Sequence, residues 1–407
     1  MDAGVIVVGS GQGGFQVAAS LRDEGYEGPV TLIGDEPGLP YQRPPLSKSF
    51  LAGKAQAQQI ELRPASFYAE RKISVLAAQR VTGIHRSARR VELASGATLP
   101  YEHLVLATGA RARVPAVPGA QLAGVLALRS RADAQALLDQ LRQARRLVVV
   151  GAGFIGLEVS VVAREIGLEV RVIEFAERVL KRSVSAPAAD YLANALAARG
   201  VQFNLATGVT AFTGSEGRVR GVETTRGESF PADLVVVGVG VDPDVGLASA
   251  ADLAVHDGII VDRQLLTSDP SISAIGDCAR YPAAFCKALV RIESVQNAVD
   301  QARCVAARIA GKAEPYAKVP WFWSDQGDNR LQIAGVAEGA DSTVLRGDVA
   351  AGKFSVFRFR GERLMAVESI NSAGDHMAAR KLLAAATPIT PDQAADTGVK
   401  LAALLAP

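Results

Sequence analysis

The chain has 407 residues, enough for two or three domains around a large buried core, and 44 basic against 42 acidic side chains leave a formal charge of +2. That balance argues against nucleic acid as a partner, and no apolar stretch reaches the length of a membrane span. The N-terminus runs straight into Val5-Ile6-Val7-Val8 without a basic leader or a cleavage site, so the cytoplasm is the expected compartment.

The first predicted unit is βαβ. Val5 to Val8 reads as a buried strand, Gly9, Gly11 and Gly14 form a G-x-G-x-x-G turn, a helix runs from near Phe15 to Asp23, and a second strand ends at Ile33. In such a turn the first glycine permits a sharp bend, the second lets backbone approach a pyrophosphate, and the third lets helix pack on strand. The helix N-terminus then faces the phosphates with unpaired N–H groups and partial positive charge. Asp35 follows the second strand, near the offset of about 20 residues expected of a carboxylate that binds ribose hydroxyls. After a proline-rich loop from Pro37 to Pro45 come short strands, then a buried strand from Tyr101 that closes on Thr108 and a tight turn at Gly109. Arg111 to Gly119 has the proline and charge content of a crossover between domains.

The pattern then repeats. Leu147 to Val150 leads into Gly151, Gly153 and Gly156, a helix through Gly167 and a strand ending at Glu174, and Ala232 to Gly240, with Gly238, closes the domain. Thr267 to Asp277 is another strand closing on glycine and acid, returning the chain to the first domain. The remainder, beginning near Lys318, holds both tryptophans, Trp321 and Trp323, and alternating strands such as Phe354 to Phe359. The expected fold is α/β: two Rossmann-like dinucleotide-binding domains plus a small C-terminal α+β domain, with boundaries at 1–111, 112–243, 244–317 and 318–407. A chain built to hold two dinucleotides most simply passes electrons between them.

The thiols narrow the chemistry. Cys278, Cys286 and Cys304 all lie late in the chain and form no C-x-x-C pair, so neither a disulfide framework nor a metal site is expected, and they read as small buried hydrophobes. After the first fingerprint stands Pro44-Pro45-Leu46-Ser47-Lys48, with no cysteine, so a relay through a redox thiol beside a flavin lacks its thiol.

The two fingerprints, Pro44 to Lys48, Leu106-Ala107-Thr108-Gly109, Ala274-Ile275-Gly276-Asp277-Cys278-Ala279, Arg291 to Ala298 and Pro320 to Gln326 together resemble the FAD-dependent pyridine nucleotide reductases, specifically the ferredoxin reductases of bacterial P450 and aromatic dioxygenase systems. The resemblance spans almost the whole chain. It implies FAD in the first domain (1–111 with 244–317) and NAD in the second (112–243). Gly13 would lie near the FAD pyrophosphate and Asp35 near its ribose, though Gly34-Asp35 replaces the usual strand-terminal glutamate. Val81 would lie near the adenine, Lys48 near the isoalloxazine, Arg129 near the phosphates or flavin edge, Asp277 at the ribityl chain and Val295 at the flavin ring, with Thr108 and Gly109 in the same site. Ile155 and Glu158 would lie by the nicotinamide and Glu174 on the second ribose, with Gly238 closing that site.

The resemblance further implies that electrons pass from NADH through flavin, one at a time, to a [2Fe–2S] ferredoxin that serves a cytochrome P450 or a dioxygenase. Lys48 would stabilise charge on the reduced ring and Glu158 would fix Lys48 by an ion pair; taken alone, the one is a solvated loop lysine and the other an exposed helix acid. Asp277 also suits the N-cap of a helix. A carboxylate at 174 favours NADH, while Arg171 and Arg178 keep NADPH open. Trp321 suits the core; Trp323 either screens the flavin or sits where a redox partner docks. Arg303, Arg308, Lys312, Arg380 and Lys381 are candidates for a basic docking surface, each also readable as a solvated helix charge. A rubredoxin reductase, an NADH oxidase and, from another class, an apoptosis-inducing-factor-like flavoprotein with mainly a binding role are the competing readings. A monomer or weak homodimer is expected.

Overall fold

Four branched apolar residues in succession, Val5–Val8, have no side to turn to water, so such a strand belongs in the interior of a parallel sheet. The computed structural model, which describes residues 3–283 and 288–405, places it there. Val5–Val8 lies between Val30–Ile33 and His103–Leu106, and Ile73–Leu76 and Ile272–Ala274 complete a five-stranded parallel sheet. The last strand brings distant sequence back beside His103–Leu106. Helix Gln12–Asp23 packs against helix Val295–Ile309, and a Cβ on Gly13 would stand 3.5 Å from that of Ala298. These elements belong to one unit, the described residues within 1–43, 57–111 and 241–320.

The second unit comprises 44–56, 112–240 and the described residues from 321 onward. Its parallel sheet runs Val201–Asn204, Glu169–Ile173, Arg146–Val150, Leu234–Val237, Val125–Ala127. An antiparallel sheet follows in the order Trp321–Gln326, Asn329–Gly335, Arg363–Ile370, Lys353–Arg360, Ser342–Asp348. Alternation along Lys353–Arg360 divides its side chains between two cores. Phe357 and Phe359 pack with Ala379 and Leu382 of helix Ala373–Ala385, while Phe354 and Val356 join Leu147, Val149 and Leu157. Glu368 ties the same layers, accepting from the Ser185 amide at 2.8 Å, from the Ser185 hydroxyl and from Arg358 at 3.0 Å.

The proline-rich loop is more ordered than its composition predicts. Pro44–Ser47 forms a 3-10 turn, and Leu51, fully buried, packs with Leu137 and Leu141 of the second unit. The chain leaves the first unit here for thirteen residues because this short apolar stretch finds its core elsewhere, at Pro44–Gln56. Among the described residues no helix is long and apolar enough to cross a membrane. Cys278 is buried, Cys304 is partly buried, and burial raises both thiols above their ordinary range; Cys286 lies outside the described residues.

His103 on the first sheet is partly buried beside a cation. Arg308 Nη2 is 3.2 Å from His103 Nε2 and 2.5 Å from Ser273 Oγ, and burial, with the guanidinium second, pushes the imidazole down to about 3. An unfolded histidine titrates near 6.5, so protons bind the unfolded chain first as pH falls. The stabilisation is therefore present above about pH 6.5 and lost on acidification towards the folded value, by about 2 kcal/mol at pH 5. Urea unfolding at pH 7 and pH 5 checks this: His103→Gln should lose less stability across that interval than the natural chain, and equal losses would contradict it.

Candidate functional site

The glycines of each fingerprint separate by what the protein itself requires. Gly9 has φ +109°, and a Cβ there would meet the Ala107 carbonyl oxygen at 2.1 Å; one on Gly14 would meet the Gly9 carbonyl oxygen at 1.9 Å. Gly151 and Gly156 repeat this, meeting the Gly238 and Gly151 oxygens at 2.5 and 2.3 Å. Neither turn could close with side chains at those positions. Gly11 differs: a Cβ there would meet nothing within 4 Å, and at Gly153 the one neighbour is an ordinary 3.7 Å away. Each is the N-cap of its helix, Gln12–Asp23 or Phe154–Glu165, and no side chain caps either end. The space a side chain would fill stands before uncapped N–H groups, which is the cradle a pyrophosphate needs. Both cradles fit a dinucleotide.

The acids beside the cradles differ in their engagement. Asp35 is 59% exposed and 3.6 Å from Arg80, whereas neighbouring Glu36 is taken by Arg43 at 2.8 Å and by the Tyr41 hydroxyl. Glu174 sits against its turn: one oxygen accepts from the Ala152 amide at 2.6 Å and the other from the Ala176 amide at 2.8 Å. Arg171 donates to Asn204 and Gln202 and lies over the Phe230 ring, and Arg178 donates to the Val184 and Lys181 carbonyls. The two arginines that would receive a 2′-phosphate are thus committed within the protein.

Lys48 and Glu158 meet. Glu158 lies inside helix Phe154–Glu165 at 3% exposure, which removes the reading as an exposed helix acid. Lys48 Nζ is 2.8 Å from Oε1, the Ser324 hydroxyl donates to the same oxygen at 2.6 Å, and the Ser47 hydroxyl donates to Oε2. Behind Ser324, Gln326 Nε2 donates to its hydroxyl at 2.8 Å. Ser47, Ser324 and Gln326 stand in the two motifs quoted above, yet their roles escape a linear reading, since small polar residues carry no period or charge. Strand alternation would have found the latter pair: Phe322, Ser324 and Gln326 share one face of their strand. Phe322 lies against Phe154, the rings tilted by 42° with centroids 4.5 Å apart.

The other expected residues fall as follows. Ile155, in the first turn of the same helix, is 42% exposed and presents an apolar surface at the cradle's edge. Gly238 backs that turn, its amide donating to Val150. Arg129 lies just before helix Arg131–Leu141, its amide 3.1 Å from Asp133. In the first unit, Val81 is buried at the start of its strand, so its backbone is what it can offer a ligand. Thr108 donates to the Asp244 carbonyl at 2.6 Å, and Gly109, at φ +72°, accepts from the Asp244 amide. Val295 opens its helix behind the N-cap Ser294.

Two expectations require correction. Asp277 caps no helix: it lies within the short 3-10 turn Gly276–Cys278, because the chain passes straight from there into strand Ala279–Pro282. Arg308 is not a surface charge but turns inward to Ser273. Trp321 packs against the core cluster of Phe357 and Phe359, as expected, but is only partly buried, lying also against Trp323 at 5.6 Å and beneath Arg380 at 4.5 Å. Of the remaining basic candidates, Arg303 pairs with Asp300 and Lys312 with Glu24, while Lys381 is exposed.

Known proteins share this arrangement. A model of the pyridine nucleotide-disulphide oxidoreductases matches residues 3–302, and one of reductase C-terminal domains matches 321–405. Rhodocoxin reductase of Rhodococcus erythropolis is 49% identical over 98% of this chain and 93% of its own length. The crystal structure of the ferredoxin reductase for the CYP199A2 system of Rhodopseudomonas palustris superposes with a TM-score of 0.97 at 46% identity, covering all of both chains. The reductase in the covalent putidaredoxin reductase–putidaredoxin complex gives 0.96 at 38% identity, covering 99% of this chain and 98% of that one. With two cradles that each fit a dinucleotide, and with matches running from end to end, the chain belongs to the pyridine nucleotide-disulphide oxidoreductase family and is an oxidoreductase of FAD and a pyridine nucleotide.

Proposed function

We propose that this protein carries electrons from NADH through FAD to a [2Fe–2S] ferredoxin, and that the ferredoxin serves a cytochrome P450. The observation that carries the proposal is the ion pair of the partly exposed Lys48 with the buried Glu158 on the helix that opens from the second cradle. FAD, when bound, accepts two electrons together from NADH and releases them singly to a one-electron carrier. Residues 1–111 and 244–317 hold FAD in this reading, 112–243 hold NADH, and 318–407 form the third domain. Rhodocoxin reductase, the CYP199A2 reductase and putidaredoxin reductase support the partner class by their names.

The residues then divide the work. Gly9, Gly11, Gly13 and Gly14 seat the FAD pyrophosphate at a helix N-terminus and Asp35 accepts from its ribose. Val81 lies by the adenine, and Thr108, Gly109, Arg129, Asp277 and Val295 line the remainder. Gly151, Gly153, Gly156 and Gly238 seat NADH, Ile155 covers the nicotinamide, and Glu174 takes the ribose while repelling a 2′-phosphate. Lys48 places positive charge where negative charge develops, and Glu158 holds it there. Trp323 screens the flavin or meets the ferredoxin, with Arg380 and Lys381 as candidate contacts. The protein works in the cytoplasm, where NADH is made, as a monomer or weak homodimer.

Anaerobic titration of the yellow protein tests the reading. NADH should bleach the flavin and a [2Fe–2S] ferredoxin should restore it; a flavin left oxidised by NADH overturns the proposal, and restoration by oxygen or a dithiol alone overturns the ferredoxin part. Cofactor choice is checked separately with Glu174→Gln, which keeps an acceptor for the Ala152 amide but removes the charge. The ratio of kcat/KM for NADH over NADPH should fall by about tenfold, since one lost charge repulsion of that size is about 1.4 kcal/mol.

A further inference from the structure

A hydroxyl carries one proton, so when it lies between two polar groups the direction of one bond sets that of the other. Gln326 Nε2 is 3.3 Å from the Phe154 carbonyl oxygen, which can only accept, so this end of the amide is the NH2 group. The same nitrogen is 2.8 Å from Ser324 Oγ, which therefore accepts. The proton of Ser324 is left for Glu158 Oε1 at 2.6 Å. Donation thus runs one way, from amide to hydroxyl to carboxylate. Ser324 and Gln326 are 0% exposed, so water does not compete for these bonds. Gln326 Oε1 is buried with no partner among the described residues, a cost the fold bears while keeping the NH2 end on Ser324.

The carboxylate needs this help. A glutamate's last torsion is broad, and a lysine ammonium on four rotatable bonds has no direction of its own. A buried pair with nothing further would leave most carboxylate lone pairs unmet and both groups free to turn. Here Ser324 holds Oε1 from one strand while Ser47, next to Lys48 in the 3-10 turn, holds Oε2 from another segment. A carboxylate pinned at both oxygens cannot rotate.

We infer that Ser324, oriented by Gln326, and Ser47 are positioning residues that fix the Glu158 carboxylate and through it the Lys48 ammonium. The inference rests on the reading above that Lys48 faces the flavin. Loosening the carboxylate lets the ammonium drift, which weakens its support for charge on the reduced ring without touching either dinucleotide cradle.

The test uses the FAD-loaded protein and three readouts: the rate of flavin reduction at saturating NADH, the NADH concentration for half that rate, and the flavin midpoint potential set with a chemical reductant. Ser324→Ala should slow reduction by about tenfold, the size of one lost hydrogen bond to a charged group, and move the potential to a more negative value, with NADH affinity within about twofold. Ser324→Thr keeps the hydroxyl and should restore both, and Gln326→Met should move both in the same direction by less. In a Glu158→Gln background Ser324→Ala should add nothing, because residues that act through one group are not additive. A change in thermal midpoint alone, with rate and potential unmoved, overturns the inference, as does an undiminished effect in the Glu158→Gln background. If Ser324→Ala does not fold, Gln326→Met decides by the same criteria. If NADH fails to reduce the natural protein, the functional reading falls, while the chemically poised potential still judges the positioning.

Discussion

A carboxylate with 3% of its surface exposed must find donors for both oxygens inside the protein, and Glu158 draws them from residues 47, 48 and 324. That requirement explains the course of the second unit. The segment Pro44–Gln56 leaves the unit that flanks it in sequence and brings Ser47 and Lys48 to the helix of the second fingerprint. Trp321–Gln326, the first strand of the antiparallel sheet, lies on the same helix and supplies Ser324. Oε1 has two donors, Lys48 and Ser324, while Oε2 has only Ser47 among the described residues, so removing Ser47 would leave a buried acceptor unmet, which costs more than the bond itself contributes.

The two cradles are alike where the protein needs them to be. Gly9 and Gly14 answer the same close carbonyl approaches as Gly151 and Gly156, because both turns must pass the chain from a parallel strand into a helix packed on its own sheet. The cradles part company at the acids. Asp35 is open to solvent, whereas Glu174 is bound into its turn by two backbone amides, so its position is set before any ligand arrives. A preset carboxylate discriminates better than a mobile one, since no ordering cost is left for the ligand to meet.

The family's description names a disulphide, and this chain lacks the cysteines for one after its first fingerprint. Pro44–Ser47 and Lys48 occupy that stretch, and Cys278 and Cys304 are held by burial with raised thiol pKa values, unsuited to exchange. Neither of these two thiols stands in the stretch after the first fingerprint, where Ser47 and Lys48 meet Glu158 instead.

Much of this was legible in the linear chain for a definite reason. Apolar runs of four or five residues, each followed by glycines at fixed offsets, determine strand, turn and helix locally, and so the two dinucleotide folds and their Gly9, Gly11, Gly151 and Gly153 positions follow from the sequence by itself. Lys48 and Glu158 could be named from motifs, but whether they were solvated or paired could not. Burial is a property of packing between segments, and only the tertiary structure brought residues 47, 48, 158, 324 and 326 together. It likewise decided that Arg308 faces His103 and not solvent, and that Asp277 stands in a 3-10 turn leading to a strand. The directions of the hydroxyl protons on Ser47 and Ser324 belong to the same class, since a serine carries no directional preference until its neighbours are in place.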